Sequence, residues 1–117
     1  GAGAATVWRN LNPDHILVRV MDDQTCSNPE YILEMAGQKI AVRGVRPEPW
    51  NNAMVSESEA LIYAMPPPGA IEEFNYRLRA RYSDCAELLS GERKVKRGWL
   101  LYETIRDGAI HHLVRKR

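Results

Sequence analysis

Apolar and polar residues alternate with a period of two over several short stretches, a pattern typical of half-buried β-strands. Ile16, Val18 and Val20 occupy every second position of residues 15–21. Residues 5–11 are rich in β-branched and aromatic side chains, and the Asn-Pro-Asp sequence after them favours a turn. Residues 60–65 form a further apolar stretch, which ends at Pro-Pro-Pro-Gly. The pattern predicts a strand in each of these three stretches.

Two hairpins are also predicted. Residues 30–45 alternate on either side of Gly37-Gln38, which can form a type II′ turn. Residues 98–106 and 109–117 flank Asp107-Gly108, a preferred sequence for the type I′ turn. On the apolar faces of this second hairpin, Glu103 interrupts the apolar series and His112 lies within it. The apolar members are Trp99, Leu101, Ile105, Ile110 and Val114.

Residues 74–82 fit two different elements. At a period of two, the apolar and aromatic residues share one face, and Arg77, Arg79 and Arg81 form a row on the other. At a period of 3.6, the apolar residues between 71 and 89 form one stripe of a helix. The unbroken alternation and the aromatic content favour the strand, and the helix stays the alternative.

The strand-rich pattern predicts a mainly β fold, an antiparallel two-sheet sandwich of the immunoglobulin-like type. The alternative is an α+β fold with one helix at about 70–90 on an antiparallel sheet. We expect residues 1–117 to form a single domain, with residues 1–4 as a flexible tail or a remnant of cloning. The longest irregular stretch, 46–59, carries Trp50, whose large ring can either close the core or contact a partner.

The charge is unevenly distributed along the chain. Residues 1–76 contain five Lys and Arg against ten Asp and Glu, whereas residues 77–117 contain eleven against five. Acidic and basic strands can pair across one sheet, which predicts that the arginine row contacts glutamates such as Glu34, Glu57 or Glu59. The same split also fits head-to-tail assembly between copies of the chain.

The two cysteines, Cys26 and Cys85, are either a disulfide or a pair of buried thiols. A bridge indicates an exported protein, and free thiols indicate a cytoplasmic one. The three histidines are too scattered in sequence to complete a zinc site with the cysteines, so we expect no metal and no cofactor. No apolar run approaches the length of a membrane-spanning helix.

We expect the protein not to be an enzyme, because the sequence contains none of the common nucleotide-binding, hydrolase or metalloprotease motifs. A dyad of Cys85 with His111 or His112 is conceivable, and so is a His15 general base. The spacing favours neither arrangement. Adjacent residues of a strand point to opposite faces, so His111 and His112 cannot line one pocket together.

Basic residues concentrate in the C-terminal half, where they indicate a possible anion-binding surface. Besides the arginine row, the candidates are Arg93, Lys94, Lys96, Arg97, Arg115, Lys116 and Arg117. Binding to nucleic acid or another polyanion is therefore the alternative function. Against it, the net charge is only +1.

The leading hypothesis is a non-enzymatic protein-interaction or assembly module built on a β-sandwich. A sandwich of this kind can present a loop or an edge strand to a protein partner or to a second copy. We expect contact through Trp50, Arg77, Arg79 and Arg81. The last predicted strand, which ends in basic residues, is either an edge protected against pairing or an edge that accepts another chain.

Overall fold

The computed structural model describes residues 13–43, 59–69 and 72–115. The predicted strand at 5–11, the Trp50 loop, Lys116 and Arg117 lie outside the described residues. The described residues form nine strands and no helix. The strands are β1 (Ile16–Asp22), β2 (Glu30–Met35), β3 (Gln38–Arg43), β4 (Glu59–Ala64), β5 (Glu73–Arg81), β6 (Leu88–Leu89), β7 (Arg93–Lys96), β8 (Leu100–Arg106) and β9 (Ala109–Arg115).

These strands form two sheets, so the prediction of a mainly β, two-sheet sandwich is confirmed. The first sheet has the strand order β4-β1-β8-β9, and the second has the order β3-β2-β5-β6, with β7 also paired to β5. Neighbouring strands are antiparallel except for one pair: β1 and β8 run parallel, with Leu17 opposite Leu100. The expectation of a wholly antiparallel sandwich is corrected here. Most of the chain separates these two strands, so no hairpin turn dictates their direction.

The core lies between the two sheets and is built from alternate residues of the strands. Ile16, Val18 and Val20 of β1 project into it and are fully buried. The second sheet contributes Tyr31, Leu33 and Met35 of β2 and Phe74, Tyr76, Leu78 and Ala80 of β5. The strand alternation seen in the sequence therefore separates the core side chains from those on the outer faces.

Residues 74–81 lie in β5, a nine-residue strand that runs from Glu73 to Arg81, and Tyr82 follows the strand directly. It pairs with β2 on one side and with β6 and β7 on the other. The strand prediction is confirmed, and the alternative helix over 70–90 is wrong. Ladder pairing with neighbours on both sides and burial of one face together outweigh the helical stripe.

Both hairpin turns are type I′, with positive φ at both central residues. Asp107 (φ 52°) and Gly108 (φ 72°) form the predicted turn between β8 and β9. The turn between β2 and β3 is Ala36-Gly37 (φ 51° and 78°) and not the predicted Gly37-Gln38 turn. The register explains the difference, because Met35 pairs with Gln38 and so leaves Ala36 and Gly37 as the two loop residues.

Cys26 and Cys85 form a disulfide, with their Cα atoms 5.9 Å apart. The bridge joins the loop after β1 to the loop after β5, where Asp84 accepts hydrogen bonds from the backbone N–H and the hydroxyl of Ser27. In immunoglobulin domains the bridge joins facing strands of the two sheets, whereas here it joins two loops. The bridge therefore does not identify the sandwich as immunoglobulin-like, and that form of the fold stays a prediction.

Candidate functional site

The arginine row lies on the outer face of the second sheet, as predicted, and contacts glutamates of the neighbouring strand. Glu34 of β2 accepts from Arg77 Nε at 3.0 Å and from Arg79 at 2.9 Å. The Arg81 guanidinium is 3.8 Å from Glu30 and is the most exposed of the three. Glu59, another expected partner, pairs with Arg19 instead; Glu57 is outside the described residues.

Arg79 also binds a second carboxylate. Its Nη1 atom donates to Glu87 Oε1 at 2.7 Å, and this hydrogen bond lowers the pKa of Glu87 and helps to raise that of Arg79. Two of the three arginines are thus neutralised within the chain. A polyanion would have to displace Glu34 and Glu87 before it could bind Arg77 and Arg79, which weakens the row as an anion site.

The remaining basic candidates are placed very differently from one another. Arg97 donates to the backbone carbonyls of Asp14 and Pro67, at 3.1 Å each, and so holds two loops together. Arg93, Lys94 and Lys96 are exposed along β7. Arg115 is the last residue of β9, and its side chain is not described. Trp50, Lys116 and Arg117 lie outside the described residues.

A second polar cluster, which the sequence analysis did not propose as a site, lies inside the sandwich. Glu103 of β8 is only 1% exposed. Its Oε1 atom contacts Nδ1 of His112 on β9 and accepts from the Tyr76 hydroxyl at 3.5 Å. Glu103 Oε2 and His112 Nε2 are both buried and have no hydrogen-bond partner among the described residues. The signal in the sequence was the pair of polar residues that interrupts the apolar faces of the last hairpin.

Burial governs the ionisation of this cluster. It raises the pKa of Glu103 above its ordinary value of 4.5, and the hydrogen bond to His112 opposes that shift only in part. Burial, together with the neighbouring Glu103, also raises the pKa of the Tyr76 hydroxyl well above its usual range. A carboxyl group in this setting resists losing its proton.

The edge strand β9 carries one member of that cluster. Within the described residues, β9 hydrogen-bonds to β8 alone and forms one edge of the first sheet. His112 projects inward with its side chain 3% exposed, whereas His111 and Leu113 are exposed, Leu113 to 54%. The predicted opposite orientation of the two histidines is confirmed.

The structure excludes one of the two catalytic arrangements considered from the sequence. Cys85 is bonded to Cys26 and supplies no thiolate, so a Cys85–histidine dyad is excluded in the bridged protein. The ring of His15 stacks on Tyr63 with centroids 4.3 Å apart. Its pKa is lowered, chiefly by burial. The expectation that the protein is not an enzyme stays a prediction.

The chain matches no family model, no curated protein and no solved structure. The part of the chain that the structure describes contains no helix with the length and apolar character needed to cross a membrane.

Proposed function

We propose that the protein is an assembly module whose edge strand β9 pairs with β9 of a second copy. The observation that carries the proposal is the seven-residue strand itself, which has a ladder partner on one side only among the described residues. A free strand edge presents backbone donors and acceptors that a further strand can satisfy. Such pairing extends the four-stranded sheet into one of eight strands.

The sequence of β9 is compatible with antiparallel pairing to itself. With His112 opposite its counterpart, Ile110 lies opposite Val114 and His111 opposite Leu113. Arg115 lies opposite Ala109, so this register places no two arginines face to face. Apolar cross-strand pairs stabilise a sheet, and like charges directly opposite each other destabilise it. The pairing is isologous and closes as a dimer.

The charge distribution supports this arrangement over a head-to-tail polymer. Glutamates of the acidic half, Glu30 and Glu34, contact the arginine row of the basic half within one chain. Much of the charge complementarity is therefore satisfied inside the molecule, leaving less to join separate copies. The disulfide is typical of exported proteins, so we place the assembly outside the reducing cytosol.

The first test is light scattering coupled to size-exclusion chromatography, with two variants of matched exposure. Leu113→Lys places a charge on the exposed face of β9, and Met65→Lys does so at a residue 56% exposed beyond β4. We expect wild type and Met65→Lys to form a dimer, and Leu113→Lys to dissociate at least tenfold more readily, because a lysine replaces the apolar partner of His111. A monomeric wild type, or equal dissociation of both variants, would contradict the proposal.

The register is tested by cross-linking. Chains carrying His111→Cys are mixed with chains carrying Leu113→Cys under mild oxidation. The proposed register brings the Cβ atoms of residues 111 and 113 to about 5 Å across the interface. We expect a covalent dimer from the mixture and much less from either chain alone. Equal cross-linking in all three samples would show that β9 pairs in another register or not at all.

Binding to a polyanion is the second candidate, favoured by the exposed basic residues of β7. The Lys94 side chain is 70% exposed, and its Nζ atom is as far as 3.9 Å from Glu73, the one acidic contact described for it. The chromatography distinguishes this function: bound nucleic acid would add absorbance at 260 nm that high salt removes. The double variant Lys94→Glu with Lys96→Glu would then abolish that absorbance, whereas Leu113→Lys would leave the absorbance unchanged.

A further inference from the structure

The disulfide belongs to a small cluster of side chains of the kinds that bind zinc. The Sγ atoms of Cys26 and Cys85 and a carboxylate oxygen of Asp84 all lie within 4.8 Å of one another. Cys85 and Asp84 are exposed, and Cys26 is half-buried, so a reductant or an ion can reach the cluster from solvent. In the bridged protein the two sulfurs are bonded to each other, and neither is a thiolate that could bind a metal.

Hydrogen bonds between the two loops hold this cluster together independently of the bridge. Ser27 donates to Asp84 through its backbone N–H at 2.7 Å and through its hydroxyl at 3.0 Å. The backbone N–H of Ser83 donates to the carbonyl of Ser27 at 3.1 Å, and Asn28 Nδ2 donates to the Ser83 hydroxyl at 3.2 Å. All four residues lie within two positions of a cysteine. Breaking the bridge therefore leaves the two sulfurs side by side and next to an aspartate.

Two thiolates and a carboxylate form a ligand set that suits zinc. Thiolates select metals such as Zn²⁺, and an aspartate oxygen is also a zinc ligand. The ligand atoms of a tetrahedral zinc ion lie roughly 3.5 Å from one another, so an ion fits within the 4.8 Å span of the cluster once the sulfurs separate. Gln24 Nε2 donates to Cys26 Sγ at 3.6 Å. A donor in this position orients the ligand and stabilises its thiolate form.

We propose that reduction of the Cys26–Cys85 bridge creates a zinc site at this end of the sandwich, with both thiolates and Asp84 as ligands and water in the fourth position. The site uses none of the three histidines, whose scatter in the sequence led to the expectation of no metal. It also uses no residue of β9, so it is independent of the assembly proposed above.

Two steps convert the bridge into the site. First, an external dithiol transfers two electrons and two protons to the S–S bond; that bond breaks, each sulfur gains a hydrogen, and the dithiol becomes a disulfide. Second, Zn²⁺ displaces the two hydrogens as protons, which pass to solvent, and two Zn–S bonds form. The protein therefore binds zinc in a reducing environment and keeps the bridge in an oxidising one.

The test uses Co²⁺ and Zn²⁺ as probes of the full chain. The protein is reduced with a dithiol, separated from it by anaerobic desalting, and titrated with Co²⁺ at neutral pH. Near-ultraviolet absorption then reports cobalt–thiolate bonds, and Zn²⁺ should displace Co²⁺ because it binds such sites more tightly. We expect one ion per chain for the reduced wild type. The oxidised protein and the double variant Cys26→Ser with Cys85→Ser should show no such absorption.

A matched pair of variants tests the carboxylate ligand. Asp84→Asn removes the charge of the third ligand, and Asp23→Asn does the same at another exposed aspartate, three residues before Cys26. We expect Asp84→Asn to bind Zn²⁺ at least about tenfold more weakly, since even the loss of a group that only supports a ligand costs about that much. Asp23→Asn should bind as wild type does. Equal affinity of Asp84→Asn and wild type, half an ion per chain, or thiolate absorption without reduction would overturn the site.

Circular dichroism of the reduced protein guards against loss of the fold. A reduced chain that unfolds and regains its spectrum when Zn²⁺ is added would support the site, because the ion then replaces the bridge between the loops. A reduced chain that stays unfolded with Zn²⁺ would contradict it. Should Asp84→Asn not fold, the carboxyl carbon shifts of reduced wild type decide the ligand. Zn²⁺ should move the resonance of Asp84 and leave that of Asp23 in place, and an unmoved Asp84 resonance would refute the proposal.

Discussion

At the scale of single residues, Asp22 joins the two sheets by side-chain hydrogen bonds. This residue ends β1, and its Oδ2 atom accepts from the hydroxyls of Tyr31 at 2.8 Å and Tyr82 at 2.7 Å. Its other oxygen accepts from the backbone N–H of Gln24. Burial and these bonds raise the pKa of both tyrosines. Asp22 therefore joins the first sheet to the second at the end that also carries the disulfide.

Removal of either tyrosine hydroxyl should weaken the fold. We expect Tyr31→Phe to lower the free energy of unfolding by about 2 kcal/mol, the usual contribution of a hydrogen bond to a charged group. Tyr82→Phe should cost less, about 1 kcal/mol, because Tyr82 is only half-buried. Urea denaturation of the two variants and wild type measures both values. If neither variant shifts the midpoint, the Asp22 cluster is not formed in solution.

At the scale of the strands, the sequence predicts faces better than neighbours. The alternation of β5 places Arg77, Arg79 and Arg81 together because side-chain direction depends only on local backbone geometry. The parallel pairing of β1 with β8 has no local signal, since it depends on how the whole chain folds back.

The buried pair was visible in the sequence only as two polar interruptions. The pattern showed that Glu103 and His112 share the apolar faces of their strands. The apolar pattern alone does not show that they face each other, but the predicted two-residue Asp107-Gly108 turn fixes the register that places them opposite. A sequence pattern does not show that Oε2 and Nε2 lack partners among the described residues, because that depends on the atoms packed around them.

The turn between β2 and β3 offers a further test at this scale. Ala36 has a φ of 51°, a left-handed conformation that is unfavourable for alanine by about 1–2 kcal/mol. Asparagine tolerates it, and Asn-Gly is a preferred type I′ sequence. We expect Ala36→Asn to raise the free energy of unfolding by about 1 kcal/mol, measured by urea denaturation.

The other hairpin supplies the control. Asp107 has nearly the same φ, 52°, and aspartate already tolerates the left-handed region. Asp107→Asn should therefore leave the stability almost unchanged, and Asp107→Ala should lower it. Equal effects of Ala36→Asn and Asp107→Asn would mean that backbone strain at Ala36 is not what the first substitution relieves.

At the scale of the whole molecule, the acidic and basic halves are brought together by the pairing of β2 with β5. Glu34 lies opposite Arg77, and Glu30 lies opposite Arg81. This pairing brings opposite charges from the two halves of the chain together on one outer face of the second sheet. It also leaves the arginine row with less unsatisfied bonding capacity than an edge strand such as β9, which has a ladder partner on one side only among the described residues.

The disulfide constrains the molecule as a whole, because it closes a loop with a sequence separation of 59 residues. On the chain-entropy account, such a bridge stabilises the fold by about 4 kcal/mol. We expect Cys26→Ser with Cys85→Ser to lower the urea midpoint by a corresponding amount, and reductant to do the same to wild type. The bonds from Ser27 to Asp84 hold the two loops together independently of the sulfurs, so the unbridged protein should still dimerise. Dimerisation that requires the bridge would show that assembly depends on these loops and not on β9 alone.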